Sequence, residues 1–201
     1  MSLMQFKIAT TEFFYVAKKE VLILAEDLSA LYWNDQKLIQ SAYDFLKRNG
    51  KIKVLHYGEL DENSDMTALI KKTQCQCERL SMLNWVHSLI VDDQEYPQLQ
   101  NFIVYDNKTF QYNQYFLSDK AVACVNGPEI AQRFSRWFHR ALSDELALRD
   151  KLSPEEISKL RAESNKIIRD SYANMGRLIT HHENNQVVKR RRPYGLDRTG
   201  R

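Results

Sequence analysis

Residues 33–58 read "WNDQKLIQSAYDFLKRNGKIKVLHYG", and this stretch decides the architecture. Asn34 or Asp35 can cap a helix by accepting backbone N–H bonds. Leu38, Ile39, Ala42, Phe45 and Leu46 recur at helical spacing, and Gly50 supplies a left-handed stop. "KIKVLHY" follows as a strand. Just upstream, "EVLILAED" (20–27) is an apolar run bounded by charges, the pattern of a buried strand, and the mixed aromatic and aliphatic spacing of 6–19 predicts a helix before it. Strand, helix and strand with short links make a βαβ unit, so the two strands are expected to be parallel with a right-handed crossover.

Outward from this unit the pattern changes. "GELDENSD" (58–65) reads as a polar loop, and Ser64 can cap a short helix carrying Met66, Leu69 and Ile70. "CERLSMLN" (77–84) is read as the next strand and "DDQEYPQLQ" (92–100) as a second polar loop closed by Pro97. Three strands then come in sequence, "NFIVYD", "TFQYNQ" and "KAVACVN", the first two joined by Asp106-Asn107-Lys108 in a hairpin turn. A sheet that begins with βαβ units and ends in a meander is a mixed sheet. Pro128 at a first helical position opens a helix with an apolar stripe of Ile130, Phe134, Trp137, Phe138 and Leu142. Ser153-Pro154-Glu155-Glu156 is a capping box that starts a long helix with Ile157, Leu160, Ile167, Ile168, Met175, Leu178 and Ile179 along one stripe. Such a narrow stripe suits a docking or dimerisation arm, or a helix that folds back on its own domain.

The chain has 201 residues and a net charge of +3. Residues 186–201 carry +5, from Lys189, Arg190, Arg191, Arg192, Arg198 and Arg201 against Asp197, which leaves −2 for the rest. Basic character is thus read as a property of the tail. No apolar run reaches the length of about 18 residues that a membrane span requires, and residues 1–4 lack the features of a signal peptide. Three cysteines, Cys75, Cys77 and Cys124, with no export signal are expected to be reduced thiols of a cytoplasmic protein. Cys75 and Cys77 have no second pair to complete a zinc site, so no metal is assigned.

"LQNFIVYD" (99–106) looks like a buried strand that delivers an aspartate, as several catalytic sites do. Together with "VLILAEDLSALYWND", "AYDFLKRNGKIKVLHY" and the closing "KAVACVNGPEIAQRFSRWFHRAL", it resembles one half-domain of the phospholipase D superfamily, over roughly residues 5–145. The resemblance implies an α/β fold, a mixed β-sheet flanked by helices, here followed by a C-terminal helical arm and a basic tail. The expected domains are 1–148 for the α/β unit, 149–185 for the arm and 186–201 for the tail.

The family's signature is His-x-Lys, four residues and Asp, in which histidine attacks phosphorus and lysine stabilises the phosphoryl oxygens. Counted back from Asp106, the histidine position holds Leu99 and the lysine position holds Asn101. Leucine cannot attack and asparagine brings no charge. Asn126 and Glu129 stand near the family's downstream Ser and Asn, and serve equally as helix-start residues. The resemblance therefore implies the fold without the activity, and no catalytic residue and no cofactor is assigned.

The functional expectation is a non-catalytic binding or adaptor protein. It would be a subunit of a complex that contacts DNA or RNA through Lys189, Arg190, Arg191, Arg192, Tyr194, Arg198 and Arg201. Clustered cations bind phosphate backbones by counterion release, and a tyrosine can stack on a base. A protein partner or a second copy would dock on the long helix. The alternative is a phosphodiesterase or nuclease with its histidine elsewhere, His56 or His87, or with a site assembled across a dimer. A third reading is a purely structural subunit.

Overall fold

Asp35 is the residue that starts the helix of the 33–58 unit. In the computed structural model, which describes residues 3–93, 96–114 and 121–190, its Oδ1 accepts the N–H groups of Lys37 (3.0 Å) and Leu38 (3.1 Å). Helix α3 then runs Gln36–Lys47. The left-handed residue that ends it is Asn49 (φ 63°), not Gly50. Gly50 answers a different demand: a Cβ there would stand 2.3 Å from the Phe45 ring, which closes over the backbone at that point. Strand β2 (Lys51–His56) lies parallel to β1 (Glu20–Ala25), in register from Glu20 opposite Lys51 to Ala25 opposite His56.

Around this unit stand α1 (Leu3–Val16), the single turn α2 (Ala30–Trp33), α4 (Asp65–Thr73) and β3 (Gln76–Arg79). Ser64 holds the N-cap position of α4 without a capping bond from its side chain; instead Asn34 Oδ1 accepts the Asp65 N–H at 2.8 Å. The strand expected over 77–84 ends at Arg79, and α5 (Leu83–Leu89) follows. The cause is Glu145, whose Oε2 takes the N–H groups of Ser81 (2.7 Å) and Met82 (3.2 Å) and withdraws them from the ladder.

Within the loop expected over 92–100, residues 92–93 and 96–100 are instead paired backbone, β4 (Ile90–Asp93) antiparallel to the start of β5 (Tyr96–Tyr105). β5 is longer than its neighbour: β1 pairs with Phe102–Tyr105 alone, and β4 takes up the first half. β6 (Thr109–Gln114) and β7 (Ala121–Cys124) complete the meander. The sheet order is β3-β2-β1-β5-β6-β7, with β4 added to β5 off this path. It is parallel on the β3-β2-β1 side and antiparallel beyond.

Both faces are buried, which explains why β1 reads as an unbroken apolar run. Val21 and Ile23 face a core with Phe14, Leu38 and Phe45 from α1 and α3. Leu22 and Leu24 face the opposite core, built with Phe138 and Leu142 of α6 (Pro128–Arg149) and Ile168 of α7 (Pro154–Arg190). Ile130, expected in the α6 stripe, is 46% exposed because the buried face runs through Ala131, Ser135 and Phe138 instead. The capping box is formed in both directions, Ser153 N–H to Glu156 Oε2 at 2.8 Å and Glu156 N–H to Ser153 Oγ at 3.3 Å.

Candidate functional site

In open α/β sheets ligands bind beyond the carboxyl ends of the strands, so the upper end of β1 and β2 is the first place to look. Asn101 lies one residue from Phe102, the partner of Leu24 near the end of β1. Its Oδ1 accepts a hydrogen bond from the buried Tyr57 hydroxyl at 2.9 Å. Leu99 continues the strand and pairs with Ile90 of β4. The cavity between Asn101 and the loop after β1 measures about 50 Å³ and is lined largely by apolar side chains, Phe6, Ile23 and Trp33 among them. Small-molecule sites usually measure about 300–1,000 Å³.

The loops that leave β1 and β2 at this end are acidic, while Arg79 and Arg161 stand on its β3 side. Segments 26–35 and 57–65 contain seven carboxylates and no lysine or arginine. Two of those carboxylates hold the loops in shape: Asp27 accepts the Ser29 N–H and Asp61 accepts the Ala30 N–H, each at 2.8 Å. Burial raises the Asp27 carboxyl above its usual range, against the Ser29 N–H, and nearby Asp61 adds to the rise. Asp61 is lowered by the N–H groups of Ala30 and Asn63.

Asp106 is at the other end of the sheet. Its Oδ2 accepts the Lys18 N–H (2.7 Å), and its Oδ1 accepts those of Lys19 (2.8 Å) and Glu20 (2.9 Å). The Asp106 N–H returns a bond to Glu20 O at 2.9 Å. With Asp106 (φ 51°) and Asn107 (φ 58°) both left-handed, the hairpin is a primed turn that points this carboxylate at the entry to β1. Asp106 is thus a clamp between the turn and the chain before β1.

The histidines stand apart from it. His56 is level with Ala25, five residues along β1 from Glu20, a separation of about 16 Å at strand rise. It is 8% exposed, and its Nδ1–H donates to Gly58 O at 2.9 Å. Burial lowers its pKa to about 4; Arg79 lowers it further, and the Gly58 carbonyl works against both. His87 is exposed in the last turn of α5.

A polar joint that the sequence reading did not single out holds α7 to the corner after β3. Arg79 reaches Glu59 (2.6 Å) and Asn165 (2.9 Å), Arg161 Nε donates to Ser81 Oγ (3.1 Å), and Ser164 Oγ donates to Ser81 O (3.2 Å). Burial, with Arg79 and Arg149 nearby, lowers the Arg161 pKa. The signal available in the sequence was Glu145, a carboxylate three residues past Leu142 on the apolar stripe of α6, where it is fully buried.

The stripe of α7 divides. Ile157 and Leu160 are half-buried, while Ile167 and Ile168 pack into the core under α6. The first turns of α7 therefore fold back on the chain's own domain. The side chains of Met175, Leu178, Ile179, Lys189 and Arg190 lie outside the described residues, as do Arg191, Arg192, Tyr194, Arg198 and Arg201 altogether. Burial raises the Cys77 thiol to about 11, with Glu78 and Cys75 adding to it. Among the described residues no helix is long and apolar enough to cross a membrane.

No family model matches the chain, and no curated protein matches it. Its fold is similar to that of solved structures. Nuc, a phospholipase D family member from Salmonella typhimurium, has 14% identity and a TM-score of 0.47, with 68% of this chain and 86% of that one covered. NucT from Helicobacter pylori has 10% identity and a TM-score of 0.49, covering 70% of this chain and 89% of that one. TrmBL2, an archaeal chromatin protein with a novel mode of DNA binding, has 14% identity and a TM-score of 0.46, covering 71% of this chain and 50% of that one.

Proposed function

We propose that the chain is a non-catalytic binding protein, a subunit of a complex that contacts nucleic acid through its basic C-terminal segment. The observation that carries the non-catalytic part is the employment of the motif positions. Asn101 is held by Tyr57, and the Asp106 carboxylate is filled by three backbone N–H groups at the far end of the sheet from His56. A general base or nucleophile must come within hydrogen-bond reach of its partner. Here the two groups are held about a full strand length apart.

The loops after β1 and β2 support the same reading: of their seven carboxylates Glu59 and Glu62 are paired with Arg79 and Lys71, and the other five disfavour a polyanionic substrate at the crevice where it would have to react. The nucleic-acid part rests on the run Lys189–Arg192 with Tyr194, Arg198 and Arg201. Met175, Leu178 and Ile179, beyond the turns that fold back, are the residues for a protein partner or a second copy.

The test is a salt titration of binding to a 20-base-pair DNA duplex and to a single-stranded RNA of 20 nucleotides. Changing Lys189, Arg190, Arg191 and Arg192 together to Ala should weaken duplex binding and flatten the slope of log K against log salt by about 3 to 4. Unchanged affinity at low salt refutes the role of the tail. Hydrolysis of either probe by the purified chain, abolished by His56→Ala or His87→Ala, refutes the non-catalytic reading.

A further inference from the structure

The charge of the folded domain sums to almost nothing, yet it is sorted by the topology. Connections that leave strands β1 and β2 carry the seven carboxylates of the upper end. Connections that enter the strands carry the opposite charge. Segments 18–20, 47–53 and 106–108 hold seven lysines and arginines against two carboxylates, Glu20 and Asp106. Both of these carboxylates are already engaged, Glu20 by Lys53 at 2.8 Å and by His139 at 3.4 Å, and Asp106 by its three backbone donors.

We infer that this lower end is a second surface for a nucleic-acid phosphate backbone, separate from the tail. Backbone hydrogen bonds bring its cations together. Asp106 ties the turn that carries Lys108 to the segment that carries Lys18 and Lys19, and the Lys51 N–H donates to Lys19 O at 2.9 Å. Lys18, Lys19, Lys51 and Lys108 are all exposed. Among the described residues none of the four is paired with a carboxylate. The strands they introduce, β2, β1 and β6, lie within four consecutive positions of the sheet with β5 between β1 and β6, so the row spans roughly 15 Å at ordinary strand spacing. A duplex presents one phosphate per about 1.7 Å of axis, so such a row meets phosphates in any sequence. Arg136 extends the row onto α6, where it lines a groove of about 410 Å³ with Asn107, Gln132 and His139.

The neighbours of these lysines favour nucleic acid over a membrane. The exposed residues among them are Lys47, Arg48, Asn49 and Asn107, all of which carry groups that can donate to phosphate oxygens. No exposed aromatic or aliphatic side chain stands within 17–20, 47–51 or 106–108, where a membrane-binding loop would carry one. Tyr15 and Val16, exposed on the last turn of α1, and Val125, exposed directly after β7, lie outside those segments. The choice of nucleic acid rests on the reading proposed above, since one polyanion engaging both tail and domain gains the effective concentration of linked sites.

The experiment separates the two surfaces in the full chain. K18Q/K19Q/K51Q/K108Q, the tail variant K189A/R190A/R191A/R192A and their combination are titrated with salt against the same DNA duplex. The four lysine side chains are exposed, so an unchanged unfolding midpoint checks that the fold is kept. The lower-end variant should reduce the salt slope by about 3 to 4, as should the tail variant, and the combination should remove measurable binding at 150 mM salt. A lower-end variant that binds like the parent overturns this inference and leaves the tail proposal standing. A silent tail variant with a weakened lower-end variant does the reverse. Absence of parental binding overturns both. Tighter, lysine-dependent binding to vesicles of 70:30 phosphatidylcholine and phosphatidylserine, or to a polyglutamate peptide, than to the duplex overturns the choice of nucleic acid.

Discussion

Replacing Asp106 separates its structural role from a catalytic one. Its carboxylate accepts three backbone N–H groups, at 2.7, 2.8 and 2.9 Å. A hydrogen bond to a charged group contributes about 1.5–3 kcal/mol. The Lys18 and Lys19 donors are exposed and rehydrate when the acceptor leaves, so about 1 kcal/mol each is a fair share; the half-buried Glu20 N–H loses nearer 2. A β-carbon without a polar side chain at φ 51° adds roughly 1 kcal/mol more. D106A should therefore destabilise by about 5 kcal/mol, with a Tm lowered by roughly 15 °C.

D106G loses the carboxylate and none of the backbone ease, so it should fall about 1 kcal/mol short of D106A. D106N keeps one oxygen and a residue that tolerates the left-handed region, and should lose about 1–2 kcal/mol. Urea unfolding followed by the fluorescence of Trp33, Trp85 and Trp137 measures all three. A D106A loss below about 1 kcal/mol, or a D106N loss equal to it, refutes the clamp. A stable D106A that abolished phosphodiesterase activity would restore the catalytic reading.

Three further outcomes follow from buried groups. His56 is held near 4 when folded and near 6.5 when unfolded, so the unfolded chain takes up the proton first as pH falls. Stability is complete above pH 6.5 and declines toward pH 4 by up to roughly 3 kcal/mol, and H56Q should flatten that slope in urea midpoints measured between pH 7 and 5. G50A should destabilise by about 1–3 kcal/mol through overpacking against Phe45, and the double variant G50A/F45L should recover part of it in the same assay. E145A should lose about 3 kcal/mol and raise hydrogen exchange at Ser81 and Met82, whereas E145Q, which keeps an acceptor, should be milder in both.

The elements legible in the sequence are those whose signal is local. The α3 stripe, the Asp35 cap, the Ser153 box and the three meander strands each declare themselves within a dozen residues. What was hidden depends on partners far along the chain. Strand β3 stops because Glu145 captures Ser81 and Met82 from more than sixty residues away. Residues 92–100 have the charge and proline of a loop, yet 92–93 and 96–99 pair with each other where β5 outruns β1. Asn49 and Gly50 exchanged roles because a glycine beside a helix end fits two explanations, a left-handed φ and a ring lying against the backbone. At the candidate site, Leu99 and Asn101 could be placed by counting, but the donors to Asp106 could not. The charge sorting was invisible in a net value near zero, since which loops share an end is known only once the strand directions are.

That sorting makes the domain an electric dipole aligned with its strands. The ends are separated by about 20 Å, the length of six strand residues, and the screening length in physiological salt is about 8 Å. Each end is therefore felt by itself at close range, while at lower salt the two act together as a torque. On the proposed reading, a polyanion approaching from any side would turn the molecule before contact and meet the lysines first. On that reading the carboxylates of the upper end would act on the rate of encounter with a ligand they never touch, and neutralising them would let the chain arrive in more orientations, fewer of them productive.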